Sequence, residues 1–321
     1  MKRLPPIVLL AIPLLGAECS LGPERDLGQI FPGKESLRAV VIGDFGDPGN
    51  KAIQEGVASA IAARHLLAPF DIGLTVGDNF YPKGVKTIND TKYWVDIFEQ
   101  DYGLKLKIPF FPTLGNHDYR GNEKAQMDYP GKYIGDCKPT DPNCRKTWNL
   151  PCNYYTYAAG PVRFFALDTD EGTSEGPLGL DFGAEWSSAP IAWLETQLAR
   201  HAAAPWKVVY AHHPAFTDGN HHKQKRVRQV REKLVPVLEK HGVHAYVAGH
   251  DHDLQYRKVG NIHYPVIGGG GKNIKRSRAK AEAEFYELSY GFMILEVSEG
   301  KMKLEIVGGK PPDPFTTKFQ K

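Results

Sequence analysis

Short apolar runs, each closed by a glycine-flanked polar cluster and followed by a stretch of helical spacing, recur along most of this chain. Arg38–Gly43 is one such run, read as a buried strand, and it ends in Asp44-Phe-Gly-Asp-Pro-Gly-Asn50. Lys51–His65 follows with Ile53, Val57 and Ile61 beside Ala58 and Ala62, which predicts a helix. Asp71–Val76 is a second predicted strand, closed by Gly77-Asp-Asn-Phe-Tyr81. Thr91–Tyr102 predicts a helix, and Phe110–Leu114 a strand closed by Gly115-Asn-His-Asp118. The second half repeats the layout. Val162–Leu167 is a strand, Pro190–His201 a helix built on Ile191, Leu194 and Leu198, and Trp206–Ala211 a strand ending at His212. Gln224–His241 is helical with a basic exterior, and Val243–Ala248 is a strand ending in Gly249-His-Asp-His252. From Leu254 to Val307 the pattern is that of an antiparallel meander.

Strands alternating with helices predict an α/β fold. Every polar cluster falls at the C-terminal end of a strand, where open α/β sheets place their ligands. The closing antiparallel strands predict two packed sheets. Because the clusters run from Asp44 to His252, a single shared site would make the two halves one domain, although 321 residues would accommodate two.

Composition narrows the class. Hydrophobic residues make up 41% and charged residues 24%, enough for a sizeable core. Forty Lys and Arg against 37 Asp and Glu give +3, with no global drive toward nucleic acid or anionic membrane. Lys2 and Arg3 precede an apolar stretch, Leu4–Leu15, and small residues then permit cleavage after Ala17; this predicts a signal peptide over 1–17 and an exported, secreted or periplasmic protein. Pro5, Pro6 and Pro13 and the short length argue against a membrane span. The expected organisation is then a polar lead-in over 18–36, one domain over 37–310 and a tail over 311–321. Cys19 could carry a lipid, but Glu18 fits such a site poorly. Cys137, Cys144 and Cys152 cluster, and export makes a disulfide plausible there, with Cys137–Cys144 the nearest pair and the leftover partner unassigned.

Asp44, Asp78, Tyr81, Asn116, His212, His250 and His252 stand at the strand ends. Carboxylate, phenol and amide oxygens mixed with imidazoles suit iron, zinc or manganese. The set exceeds the needs of one tetrahedral ion and suits two, with one carboxylate shared, the arrangement that clamps attacking and leaving oxygens in an in-line displacement. Each cluster alone is a weak signal: a Gly-Asp at a strand end is often only a turn. Gly249-His-Asp-His252 is stronger, because a strand edge would present His250 and His252 on one side and turn the residue between them away.

Taken in order, Gly43-Asp-Phe-Gly46, Gly77-Asp-Asn-Phe-Tyr81, Gly115-Asn-His-Asp118, Val209-Tyr-Ala-His212 and Gly249-His-Asp-His252 resemble the five metal-binding blocks of the purple acid phosphatases, within the calcineurin-like metallophosphoesterases. The resemblance spans about residues 38–300 and is to the small, tartrate-resistant type; Trp148-Asn-Leu-Pro151 and Phe165-Ala-Leu-Asp-Thr169 carry it between the blocks. It implies a four-layer αββα sandwich with a C-terminal antiparallel meander. It implies that Asp44, Asp78, Tyr81 and His252 hold one ion and Asp78, Asn116, His212 and His250 the other. The Tyr81 phenolate would favour iron(III), and a divalent iron, zinc or manganese would complete the pair. The implied reaction is hydrolysis of phosphate monoesters by metal-bound hydroxide, since a bound ion lowers the pKa of water from 15.7 toward about 7. His117 and His221 would bind phosphate and protonate the leaving group. His222 could substitute for His221, Asp118 could orient His117 or act as a cap, and Asn220 stands where many relatives carry an acid. Gly172–Gly183 could cover the site, and Lys272–Lys280 could draw anionic substrates or be a solvated surface. The expected protein is a monomer. Its rivals are a phosphodiesterase or nucleotidase on the same scaffold and a secreted iron-site redox or binding protein.

Overall fold

The computed structural model of the chain describes residues 19, 21–135, 145–170, 185–274, 281–310 and 313–320. Its strands are β1 (Asp26–Gln29), β2 (Leu37–Ile42), β3 (Ile72–Val76), β4 (Phe110–Thr113), β5 (Tyr155–Ala159), β6 (Val162–Ala166), β7 (Trp206–Tyr210), β8 (Ala245–Val247), β9 (Leu254–Val259), β10 (Ile262–Ile267), β11 (Phe285–Glu287), β12 (Gly291–Ser298), β13 (Lys301–Lys310) and β14 (Asp313–Gln320). They form two sheets, ordered β1-β5-β6-β7-β8-β10-β9-β11 and β14-β13-β12-β2-β3-β4.

The continuous apolar runs are explained by burial on both faces. In the larger sheet successive residues alternate between two cores. Phe164, Ala166, Val208, Tyr210, Ala245 and Val247 face the other sheet. Phe165, Val209 and Tyr246 instead meet Leu194 and Leu198 of the helix Ala189–Arg200 and Val230, Leu234 and Leu238 of the helical run 225–240. Across the smaller sheet, Val57, Ala58 and Ile61 of the helix Lys51–Leu67 join the same core as β2 and β3. Helix, sheet, sheet, helix is the predicted four-layer sandwich.

The differences from the sequence pattern have local causes. Ile53, inside the predicted apolar stripe, is exposed. Gln54 is buried in its place, because its amide donates to the Ile97 carbonyl (2.7 Å) and to Asp101 (3.0 Å). Trp94–Gly103, expected as ordinary helix, is wound as a wider π-helix. The meander divides, β9–β11 joining the larger sheet and β12–β14 the smaller. β1 lies within the expected lead-in and pairs parallel to β5 at the sheet edge; β14 lies within the expected tail. No described helix is long and apolar enough to cross a membrane.

Cys19 forms a disulfide with Cys152, 133 positions away, with Cα atoms 5.0 Å apart. The leftover partner is thus Cys19, and a sulfur in a disulfide is not available for a lipid thioether. The expected Cys137–Cys144 pair lies outside the described residues. Closing so long a loop should stabilise the fold by about 2–5 kcal/mol. Cys152→Ser should therefore lower Tm by roughly 5–15 °C in calorimetry. Reductant should lower the wild-type Tm by more than it lowers that of the variant.

Candidate metal centre

β2, β3 and β4 of one sheet and β7 and β8 of the other all deliver their following loops to one place. Three residues there hold left-handed backbone that non-glycine side chains rarely adopt: Asp44 (φ 57°), Asp78 (φ 48°) and His250 (φ 73°). Gly77, at φ 81°, precedes Asp78, and a Cβ on it would stand 2.7 Å from His212 Nδ1. The strained turns swing the carboxylates and the imidazole inward. His250 and His252 lie in the turn beyond β8 rather than on a strand edge, which sends them to opposite ends of the cluster.

At one end, the Tyr81 hydroxyl is 2.8 Å from Asp44 Oδ1, 2.7 Å from Asp78 Oδ2 and 3.2 Å from His252 Nε2. At the other, His212 Nε2 is 3.1 Å from Asn116 Oδ1, 3.1 Å from His250 Nδ1 and 3.4 Å from Asp78 Oδ1. All seven residues expected at the centre are therefore gathered, and Asp78 turns one oxygen to each end.

The outward ring nitrogens fix the tautomers. His212 Nδ1 donates to the Val76 carbonyl (3.0 Å), and His252 Nδ1 to the Asn273 carbonyl (2.9 Å). His250 Nε2 meets Gln224 Oε1 (2.7 Å). Each inner nitrogen then turns a lone pair to the centre, as in metal-ligating histidines held by outer oxygens. His212 Nε2 thus faces another imidazole lone pair, an amide oxygen and a carboxylate. Acceptors that converge without donors fit a cation. The same negative charge acts on the ring: burial opposes charge on His212, yet Asp78, Asp44 and Asp170 lift its pKa to about 9. Burial, with His221, His213 and His212 beside it, pushes His250 well down. Burial and the Asp44 and Asp78 charges push the Tyr81 phenol well up, so it keeps its proton and donates to the carboxylates. The donor set fits two ions.

His117 donates from Nδ1 to the Pro82 carbonyl (2.7 Å), lays its ring 4.4 Å from that of Tyr81 and points Nε2 at Asp78 Oδ2, 3.9 Å away. Asp118 does not touch it. That carboxylate accepts from the backbone of Asn79, Phe80 and Gly115 and from Gln126, tying two ligand loops together; burial and then Asp78 push it up to about 7. It braces those loops rather than orienting His117 or capping the short helix Asp118–Arg120, whose N-cap is His117. His221 lies with its ring 4.2 Å from that of His250 and its Nδ1 2.8 Å from Asp251 Oδ1, whereas His222 Nδ1 turns to the Gly219 carbonyl (3.1 Å). Asp251, the residue between the two histidines of the last block, does point away, toward His221. Asn220 is exposed. Lys272 is not part of a solvated run: its ammonium lies 4.7 Å over the Tyr81 ring and 2.8 Å from Asp47. Residues 275–280 and the Gly172–Gly183 loop lie outside the described residues.

Sequence reasoning missed Gln224, Asp251 and His213. Among the described residues, ring nitrogens of His212, His213 and His250 lie within 4.8 Å of one another, as do ligand atoms of Asp44, Asp78 and His212. The His212-His213 doublet was the available signal for His213.

The sequence profile described as calcineurin-like phosphoesterase matches residues 37–254. The chain is 29% identical over 315 residues to tartrate-resistant acid phosphatase type 5 of Homo sapiens, covering 88% of this chain and 91% of that one. It is 28% identical over 289 residues to purple acid phosphatase 7 of Arabidopsis thaliana, covering 84% and 81%. Of solved structures, GAP50, the anchor in the inner membrane complex of Plasmodium, superposes at TM-score 0.69 and 21% identity over 89% of each chain. Purple acid phosphatase PPD1 of yellow lupin seeds superposes at 0.62 and 16% identity, over 89% of this chain and 54% of that one. These two likenesses speak to the fold.

Proposed function

We propose that this chain, which belongs to the calcineurin-like phosphoesterase family, is an exported two-metal acid phosphatase that hydrolyses phosphate monoesters. The observation that carries the reading is Asp78, whose two oxygens face two separate donor groups, one of them containing Tyr81. Acid phosphatases of similar sequence over most of the chain support the reaction class. The Cys19–Cys152 disulfide supports export, since such bonds persist in oxidising compartments.

Asp44, Asp78, Tyr81 and His252 would hold iron(III), the phenolate selecting the trivalent ion. Asp78, Asn116, His212 and His250 would hold a divalent ion. Bound there, the pair would make water a competent nucleophile at low pH and offset charge on the phosphoryl oxygens. The rest is done by side chains. The Pro82 carbonyl holds the proton on His117 Nδ1 and so aims Nε2 over Asp78, where it can meet a phosphoryl oxygen or deliver a proton to the departing alkoxide. His221, braced by Asp251, stands against the second donor group and can bind the phosphoryl from that side.

The purified protein should contain two metals per chain, one of them iron, and show a broad green-to-red absorption band. Tyr81→Phe should abolish the band. An aryl phosphate monoester should be turned over in preference to a bis-aryl diester. One zinc per chain and no colour would overturn the iron–tyrosine assignment, and preference for the diester would overturn the substrate class.

A further inference from the structure

His213 has no place in the scheme above, yet it is held as a metal ligand is held. Its backbone N–H donates to Thr169 Oγ1 (3.1 Å), and its carbonyl accepts from the Tyr246 hydroxyl (2.7 Å). Its ring Nδ1 lies 2.9 Å from the same Thr169 oxygen, with Asp170 Oδ2 3.7 Å away. The residue is thereby fixed at both ends of its backbone and at one ring nitrogen. Nε2 has no hydrogen-bond partner among the described residues. The ring lies 5.0 Å from that of His212 and 4.4 Å from that of His250, and all three are buried. One nitrogen of each falls within a 4.8 Å span.

What sets His213 apart from a packed core histidine is its company: one ring nitrogen is held at Thr169, and the ring packs against His212 and His250, with a nitrogen of each of the three inside the same 4.8 Å span. Resting on the two-metal reading, we propose that His213 supplies a third imidazole to the second ion, beside His212, His250, Asp78 and Asn116, and that this ion is therefore zinc or iron(II) rather than manganese. Imidazole suits zinc and iron, whereas manganese prefers carboxylate, carbonyl and water oxygens. With three nitrogens against two protein oxygens, the site departs from the oxygen-rich environment manganese favours.

The test loads the second site of the purified protein with Zn²⁺ or Mn²⁺ alone. X-ray absorption at the zinc edge of the wild-type protein should report three imidazoles, and this reading requires no variant to fold. Chelator competition should then show zinc bound at least 10–100-fold more weakly in His213→Phe, the scale on which even outer partners of ligands act. Manganese affinity should change much less, and the visible band of the first site should be unaltered. Two imidazoles at the zinc edge would overturn the proposal. So would equal losses of zinc and manganese affinity, which mark a packing role, or an unchanged zinc Kd. A wild-type protein that takes up no second ion would overturn the two-metal reading itself, and this inference with it.

Discussion

Asp78→Asn should reduce hydrolysis by on the order of 10³-fold or more, the upper range for losing one preorganised electrostatic contact and here compounded by lost metal. The substitution keeps the shape and removes one charge. That charge faces both donor groups at once, through Oδ2 toward Tyr81 and Oδ1 toward His212. The other six residues contribute to one group each, so none of their substitutions should weaken both ions together. Elemental analysis of Asp78→Asn should accordingly find both metals depleted. Thermal unfolding should separate this from simple misfolding. Asp78, Asp44 and Asp118 are buried close together, and Asp78 helps raise Asp118 to about 7. Neutralising Asp78 relieves that repulsion but also removes the charge that pairs with His212 and accepts from the His117 N–H and the Tyr81 hydroxyl, partners that, despite its burial, hold the Asp78 carboxyl below the usual carboxylate range. The metal-free variant should therefore still unfold cooperatively, somewhat below the metal-free wild type. What it should lose is the stabilisation that added metal confers on the native state alone. A variant that binds both ions and turns over normally would remove the basis for the whole assignment.

The same seven residues were visible in the chain because each follows an apolar run, and a run buried between layers leaves its C-terminal neighbour at the mouth of the sheet. Asp44, Asp78 and Asn116 end one sheet's strands, and His212 and His250 follow the other's. Alternation over two cores explains why Phe164 and Phe165 are both apolar, so the strands were legible although no polar face marks them. Edge strands were not legible: β1 is half exposed along its length and carries no apolar run. The bracing contacts were not legible either. Gln224 on His250, Asp251 on His221 and Thr169 on His213 join residues 26, 30 and 44 positions apart. A periodic pattern records which face is buried and is silent about which distant atom a side chain meets. Cys19–Cys152 shows the same limit, since proximity along the chain favoured Cys137–Cys144 and the fold joined residues 133 apart.

His117→Asn should separate binding from proton delivery. The ring ligates nothing in the arrangement above; it is anchored by Pro82 and tilted against Tyr81. Both metals and the visible band should persist. Turnover of an alkyl phosphate, whose leaving alkoxide is strongly basic, should fall by about 10²–10⁴-fold, the usual worth of a general acid. A nitrophenyl phosphate, whose leaving group departs unaided, should lose much less. The pH dependence carries the sign. Burial lowers the His117 pKa from the usual imidazole value, and the Asp78 charge only partly restores it. Two bound cations would spend that charge and lower the pKa further. The ring is protonated, and able to donate, only below its lowered pKa. Activity should therefore fall as pH rises through that value, giving an acid optimum with an alkaline limb that belongs to His117. In His117→Asn the residual rate should lose that limb. If the limb remains and the two leaving groups suffer equally, the proton comes from elsewhere, and His221, braced on Asp251, is the side chain placed to supply it.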